Sequence, residues 1–403
     1  MLSETRSKSY SATVVYRAVF SCLLLFGLNS CSSISWNPLN WFADDEVNPP
    51  TDLQTIQSEV TLRSVWSVSV GNGQGDNYTK ITPAIDGELI FAASENGNIA
   101  AINRRTGAVL WRNRLRSTII TGGLGAGAGL VLFGTEDAEV VALSQVDGEI
   151  IWRTAVSSEV LAPPQTNGDV VVAQTVDDKL VALDRASGVQ RWIYEATLPA
   201  LTLRGTSKPL ITPNGRVIAG FSNGTLISVA AEDGVWQWEE RVAIPEGQYD
   251  IDRVIDVDGD LLLDGNRVLA SSYQGNLMAF DIATGRIVWG REASSYHGIA
   301  LGFGNLYYCD DTSRIVAVRN NSSEVIWENE DLAYRAITAP RAFNNYVAVA
   351  DFEGYLHLLS QIDGRIVGRT RIDNDGVRAN LLSVNEMLYV FGNSGRLTAL
   401  SVQ

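Results

Sequence analysis

Residues 101–111 read Ala101-Ile102-Asn103-Arg104-Arg105-Thr106-Gly107-Ala108-Val109-Leu110-Trp111: a short apolar run, a polar turn closed by glycine, and a second apolar run ending on tryptophan. The phrase returns as DGEIIW (147–152), SGVQRW (187–192), DGVWQW (233–238), TGRIVW (284–289), SSEVIW (322–327) and DGRIVG (363–368). Anchored on Trp66, Trp111, Trp152, Trp192, Trp238, Trp289, Trp327 and finally Gly368, the intervals are 45, 41, 40, 46, 51, 38 and 41 residues. That period suits four-stranded propeller blades. Four residues before each anchor from Trp111 onward stands Gly or, once, Ser323; fourteen before it stands a second turn residue, Gly97, Ala138, Asp178, Gly224, Gly275, Ser313 or Gly354. Glycine supplies the positive φ that a tight hairpin requires. Between the two turns lie runs such as Ile99–Ile102, Val140–Leu143 and Leu180–Leu183, as expected of strands buried on both faces. No helical period of comparable length appears, so the chain reads as all-β.

Trp66 has Leu62, not a turn residue, four positions before it, and so lies on a strand with no hairpin partner ahead of it. At the other end, 381–384, 387–391 and 396–400 supply three strands before the chain stops at Gln403. The economical solution is an eight-bladed β-propeller of four-stranded antiparallel blades, the last closed by the N-terminal strand near 58–70. Closure removes the open edge. Seven blades with an unattached N-terminal strand is the alternative. Gly368 without an indole and Ser323 without a turn glycine predict looser packing in blades seven and six.

Composition narrows the function classes. The 403 residues carry 31 Lys+Arg against 46 Asp+Glu, a formal charge of −15, which disfavours nucleic acid and anionic lipid as partners. Three Cys and two His cannot make a disulfide framework or a zinc cluster. His297 and His357 lack metal-ligand spacing, and no cofactor or metal is expected. Asp256-Val257-Asp258-Gly259-Asp260 is similar to the start of a calcium loop but lacks the downstream bidentate Glu. The glycines at 122–129 fall where other units place their first strand and hairpin, without the strand-to-helix context of a dinucleotide site.

The first 30 residues read as an export signal. Arg6, Lys8 and Arg17 precede a short apolar run over 18–28, too short to span a bilayer. The run ends in Leu28-Asn29-Ser30-Cys31, which resembles a lipobox, and the resemblance makes Cys31 the lipidated first residue of the mature chain. Ser32, where lipoproteins retained at the inner membrane often carry Asp, implies the outer membrane. Residues 31–57, with Pro38, Pro49, Pro50 and Asp44-Asp45-Glu46, read as a lipidated flexible tether, and 58–403 as the propeller. Losing Arg6, Lys8, Arg17 and Glu4 leaves 28 basic against 45 acidic residues, a mature charge of −17.

The repeat resembles that of pyrroloquinoline-quinone-type propellers, in which the Trp packs over the peptide plane of a neighbouring blade. No WD dipeptide is present, so the WD40 pattern does not fit. A quinoprotein enzyme of that class, or a ligand-binding propeller, is the alternative function; no adjacent Cys pair supports the enzyme. The lipobox and tether, with 201–205 (Leu-Thr-Leu-Arg-Gly), 251–253 (Ile-Asp-Arg), 256–258 (Asp-Val-Asp) and 353–356 (Glu-Gly-Tyr-Leu), resemble the BamB family of Gram-negative envelope lipoproteins. The resemblance implies a noncatalytic scaffold on the periplasmic face of the outer membrane, within the BAM complex that folds and inserts β-barrel proteins. It also implies BamA and the other BAM subunits as partners, and unfolded outer-membrane proteins as a further class.

Spacing points to the same segments. From each anchor to the second residue of the next inner hairpin there are 17, 16, 23, 27, 15 and 18 residues, at Ala128, Gly168, Gly215, Gly265, Gly304 and Asn345. The two long connections follow Trp192 and Trp238, and consecutive outer-to-inner connections of a propeller emerge side by side on one face. Read from the residues alone, they are tolerated insertions or a docking surface, with Arg204 free to pair with Asp256 or Asp258. The family resemblance implies that Leu201, Leu203, Arg204, Asp256 and Asp258 bind a POTRA domain of BamA.

Overall fold

The structure, a computed structural model, describes residues 48–76 and 79–403. The expected signal peptide, Cys31 and the tether as far as residue 47 lie outside the described residues. The described chain forms eight four-stranded antiparallel sheets, each a blade. Blade one is Ala84–Asp86, Leu89–Ala93, Asn98–Asn103 and Val109–Arg114, and blades two to seven repeat this order through Arg371. Blade eight takes Leu382–Val384, Met387–Phe391 and Arg396–Val402 from the C-terminus. Its outer strand is Leu62–Ser69, with Leu62 opposite Val402 and Ser69 opposite Arg396. The expected closure by the N-terminal strand is therefore present.

Alternation along each strand builds the ring. Side chains of successive residues leave opposite faces of a sheet, so Ile90 and Ala92 meet Tyr389 and Phe391 of blade eight while Phe91 and Ala93 meet Val131 and Phe133 of blade two. The core is thus a circle of clusters between blades. Each anchor Trp completes the contact: all seven donate Nε1–H to a backbone carbonyl in the next blade's outer hairpin, at 2.8–3.1 Å. The ring lies on the turn residue of that hairpin. Gly285, at φ +75°, shows why glycine serves there, since a Cβ would come within 2.8 Å of the Trp238 ring.

The register explains how the indole fits. In every blade the outer pair carries a bulge whose extra residue immediately precedes the anchor, as where Trp111 faces Ala101 and Val109 faces Ile102, skipping Leu110. Blade eight repeats this with Val65, although its outer strand comes from the other end of the chain. Opposite each Trp stands a small residue, Ala in six blades and Ser228 in one. Gly368 reverses the pair, because it faces Leu358.

The looser packing expected at Gly368 is not found. A Trp there would need an outer hairpin in blade eight to rest on, and blade eight, whose outer strand comes from the other end of the chain, has no outer hairpin. Val60 fills the place instead: its Cγ1 lies 2.9 Å from where a Gly368 Cβ would stand, and Glu59 and Val60 both donate backbone N–H to the Val367 carbonyl. At the other departure, Ser323 adopts φ +55° without glycine, and Trp289 keeps its bond to the Asn320 carbonyl. Of the stretch assigned to the tether, residues 48–57 are described. Thr51 donates to the Ala333 carbonyl, Arg335 and Arg369 donate to the carbonyls of Thr51 and Gln54, and Leu53 and Ile56 pack on the cluster between blades six and seven.

Candidate functional site

The two long connections run from Glu195 to Leu210, between blades three and four, and from Arg241 to Leu262, between blades four and five. The second contains the 3-10 turn Asp250–Arg253, the only helical turn among the described residues. The connections meet. Leu203 donates its backbone N–H to Asp256 Oδ2 at 2.7 Å, and Gly205 leaves room for the Asp258 carboxylate, which a Cβ would approach to 2.3 Å. A neighbouring connection joins them, since Ala162 donates N–H to Thr206 Oγ1 at 3.1 Å and Arg204 pairs with Glu159 at 2.7 Å.

The five residues singled out in the sequence occupy three kinds of place. Leu201 (43% exposed) and Arg204 face outward, and Leu203 is half-buried between them. Asp258 is half-buried at the wall of a central cavity of about 810 Å³ that opens on this face and is also lined by Lys80, Asp260 and Arg341. Asp256 has no exposed surface at all. Arg204 pairs with neither Asp256 nor Asp258. Its partner is Glu159, whose only signal in the sequence is its place in the adjoining connection.

Electrostatics beneath the surface are unusual. Burial, reinforced by the Asp258 charge, pushes Asp256 up to about 8. Burial likewise raises Asp258 to about 7, opposed by Lys80, and Asp178 to about 6. Asp178 sits at φ +58° in the turn between the second and third strands of blade three, where most units have glycine, and is buried. It accepts Ser222 Oγ–H at 3.1 Å, while its Oδ2 and Asp256 Oδ1 have no hydrogen-bond partner among the described residues. Three carboxyl groups thus face one another with one cation, Lys80, acting on Asp258. The sequence marks Asp178 as a turn residue but not as a member of this group, because its burial depends on blade four folding over it.

The remaining candidates resolve into structure. His357 is buried, shares a 3.1 Å hydrogen bond with Asp351 and accepts from Arg369 Nε through Nδ1. His297 is buried beside the cavity, and burial with nearby Lys80 holds its pKa well below the usual value. Cys309 is buried, with its thiol pKa raised by burial, so it lacks the thiolate character of a reactive cysteine. Of the carboxylates similar to a calcium loop, Asp256 serves Leu203 and Asp260 lies 3.9 Å from Lys208.

The family model described as outer membrane protein assembly factor BamB matches residues 58–122 and 95–329. A protein of that name from Pseudomonas aeruginosa is 50% identical over 355 residues, covering 88% of this chain and 93% of its own. One from Yersinia pestis is 33% identical, covering 94% of this chain and 98% of its own. Among solved structures, BamB from Moraxella catarrhalis superposes with a TM-score of 0.78 at 28% identity, over 85% of this chain and all of that one. A quinohemoprotein alcohol dehydrogenase from Comamonas testosteroni shares the fold, with a TM-score of 0.66 at 12% identity over 84% of this chain and 76% of that one.

Proposed function

Since this chain belongs to the family of the outer membrane protein assembly factor BamB, we propose that it acts in outer-membrane protein assembly as a noncatalytic scaffold. Lipidated at Cys31, it is held at the periplasmic face of the outer membrane. It joins the BAM complex by docking the strip Leu201–Arg204 on a POTRA domain of BamA, with Asp258 beside the strip and Asp256 supporting it from beneath. The observation that carries this reading is the construction of that strip. Two apolar side chains and an arginine stand on one connection, which bonds at Asp256, Thr206 and Glu159 tie to its two neighbours. Apolar anchors with one oriented guanidinium are what a small specific interface uses. A strip already ordered before contact also loses less entropy on binding.

Copurification tests it. Arg204→Ala, or Leu201→Ala with Leu203→Ala, should reduce the BamA recovered with the detergent-solubilised protein, by about tenfold if one hot-spot contact is lost. The propeller should keep its melting temperature. Full recovery of BamA with both variants at normal protein levels refutes the assignment. The noncatalytic part is tested separately: incubation with pyrroloquinoline quinone and calcium should give no dye-linked alcohol oxidation, and sustained turnover would make the protein an enzyme.

A further inference from the structure

Asp256 is the least accessible of the five residues. It has no exposed surface, and its chain neighbours Ile255 and Val257 are buried as well. The backbone on either side is fixed, since its own carbonyl accepts from Tyr273 N–H at 3.0 Å and Val257 N–H donates to the Phe221 carbonyl at 3.2 Å. One carboxyl oxygen, Oδ2, accepts the Leu203 N–H, and the other has no partner among the described residues. A partner protein resting on this face cannot touch Asp256 while the two connections keep this arrangement. We infer that Asp256 is a positioning residue for the docking strip: it holds Leu203 from beneath through one hydrogen bond, and its negative charge is not needed.

The second half of the inference follows from what surrounds the carboxyl. Asp258 on the same connection and Asp178 in the turn between the second and third strands of blade three are the charged groups acting on it, and both are acidic. Lys80 acts on Asp258, and among the described residues no Arg or Lys is bonded to Asp256. A third buried charge in such company is costly, so the neutral acid is the form that fits, in line with its raised pKa. A carboxylic acid and a carboxamide have the same shape, and each offers one oxygen to the Leu203 N–H. Asn should therefore replace Asp256, whereas Ala, which offers no acceptor, should release the strip.

This inference rests on the proposed docking strip, and the experiment separates the two. Affinity of the purified mature protein for BamA is measured for wild type, Asp256→Asn, Asp256→Ala and Arg204→Ala, together with hydrogen exchange at the Leu203 amide. Asp256→Asn should bind within about twofold of wild type, and Asp256→Ala about tenfold more weakly, the loss of one hydrogen bond to a strip that must be ordered to bind. The Leu203 amide should stay protected in wild type and Asp256→Asn and exchange faster in Asp256→Ala. Three results overturn the inference: an Asp256→Asn protein as weak as Asp256→Ala with Leu203 still protected, which would mean a direct charge contact; an Asp256→Ala protein with unchanged affinity and protection; or an Asp256→Asn protein that does not fold. If wild type itself does not bind BamA, the functional reading fails, and the exchange data alone decide the role of Asp256.

Discussion

Arg204 and Asp256, both singled out in the sequence, have opposite situations. Arg204 is exposed and turned toward Glu159; Asp256 is sealed under the connection it supports. Their residue types and spacing could be read directly, but the direction each side chain faces could not, because it depends on how two connections cross. The carboxyl group around Asp256 has a measurable consequence. In the folded protein Asp178, Asp258 and Asp256 hold protons up to about 6, 7 and 8, whereas the unfolded chain releases them near the ordinary aspartate value of 3.8. The folded state binds more protons between those limits, so these groups make stability fall as pH rises from about 4 to about 8, with no further loss above. Buried His297 and His357, whose pKa values are lowered, act in the opposite sense below about 6.5 but alike in wild type and variant, so the melting temperature of wild type should decline relative to that of Asp256→Asn across that range. A constant difference between the two would show that Asp256 does not carry the proton.

The element that repeats is a hairpin whose outer strand bulges just before a tryptophan. Turn glycines and the indole spacing made the hairpin legible. The bulge was not, since nothing in Leu110, Ile151 or Val288 marks it; it recurs before Gly368 as well, so it belongs to the register of the outer pair and not to the indole. The one unit without an indole shows that the elements are complementary rather than uniform. Gly368 faces Leu358 where the others have Trp facing Ala or Ser, and Val60 covers it. Leu358, in a position otherwise held by small residues, was the available clue. Restoring the repeat should therefore do harm: Gly368→Trp would collide with Val60 and Leu358, costing about 1–3 kcal/mol as overpacking. A lower melting temperature is expected, and a raised one would show that the place is vacant.

At the scale of the whole molecule, stability comes from closing the ring. Leu62–Ser69 supplies the outer strand of blade eight, and residues 51–60 continue along blades seven and six, held by Val367, Arg335 and Arg369. A mature protein shortened to begin after Ser69 would leave Arg396–Val402 as an uncovered edge, which invites pairing with another chain. It should melt earlier and self-associate in light scattering, and a monomer with an unchanged melt would contradict the closure. The sequence by itself determined the number of blades, the strand order and the joining of the two ends, because each rests on local turns and a regular period that neighbouring residues suffice to set. It also marked the two long connections, since length is a property of the chain. Only the tertiary structure decided that Asp256 lies inside and Arg204 outside, that Asp178 joins the buried carboxyl groups, and that Val60 fills the place of the missing indole. Each of these is a contact between residues far apart in the chain, where burial and packing choose the partner after the blades have come together.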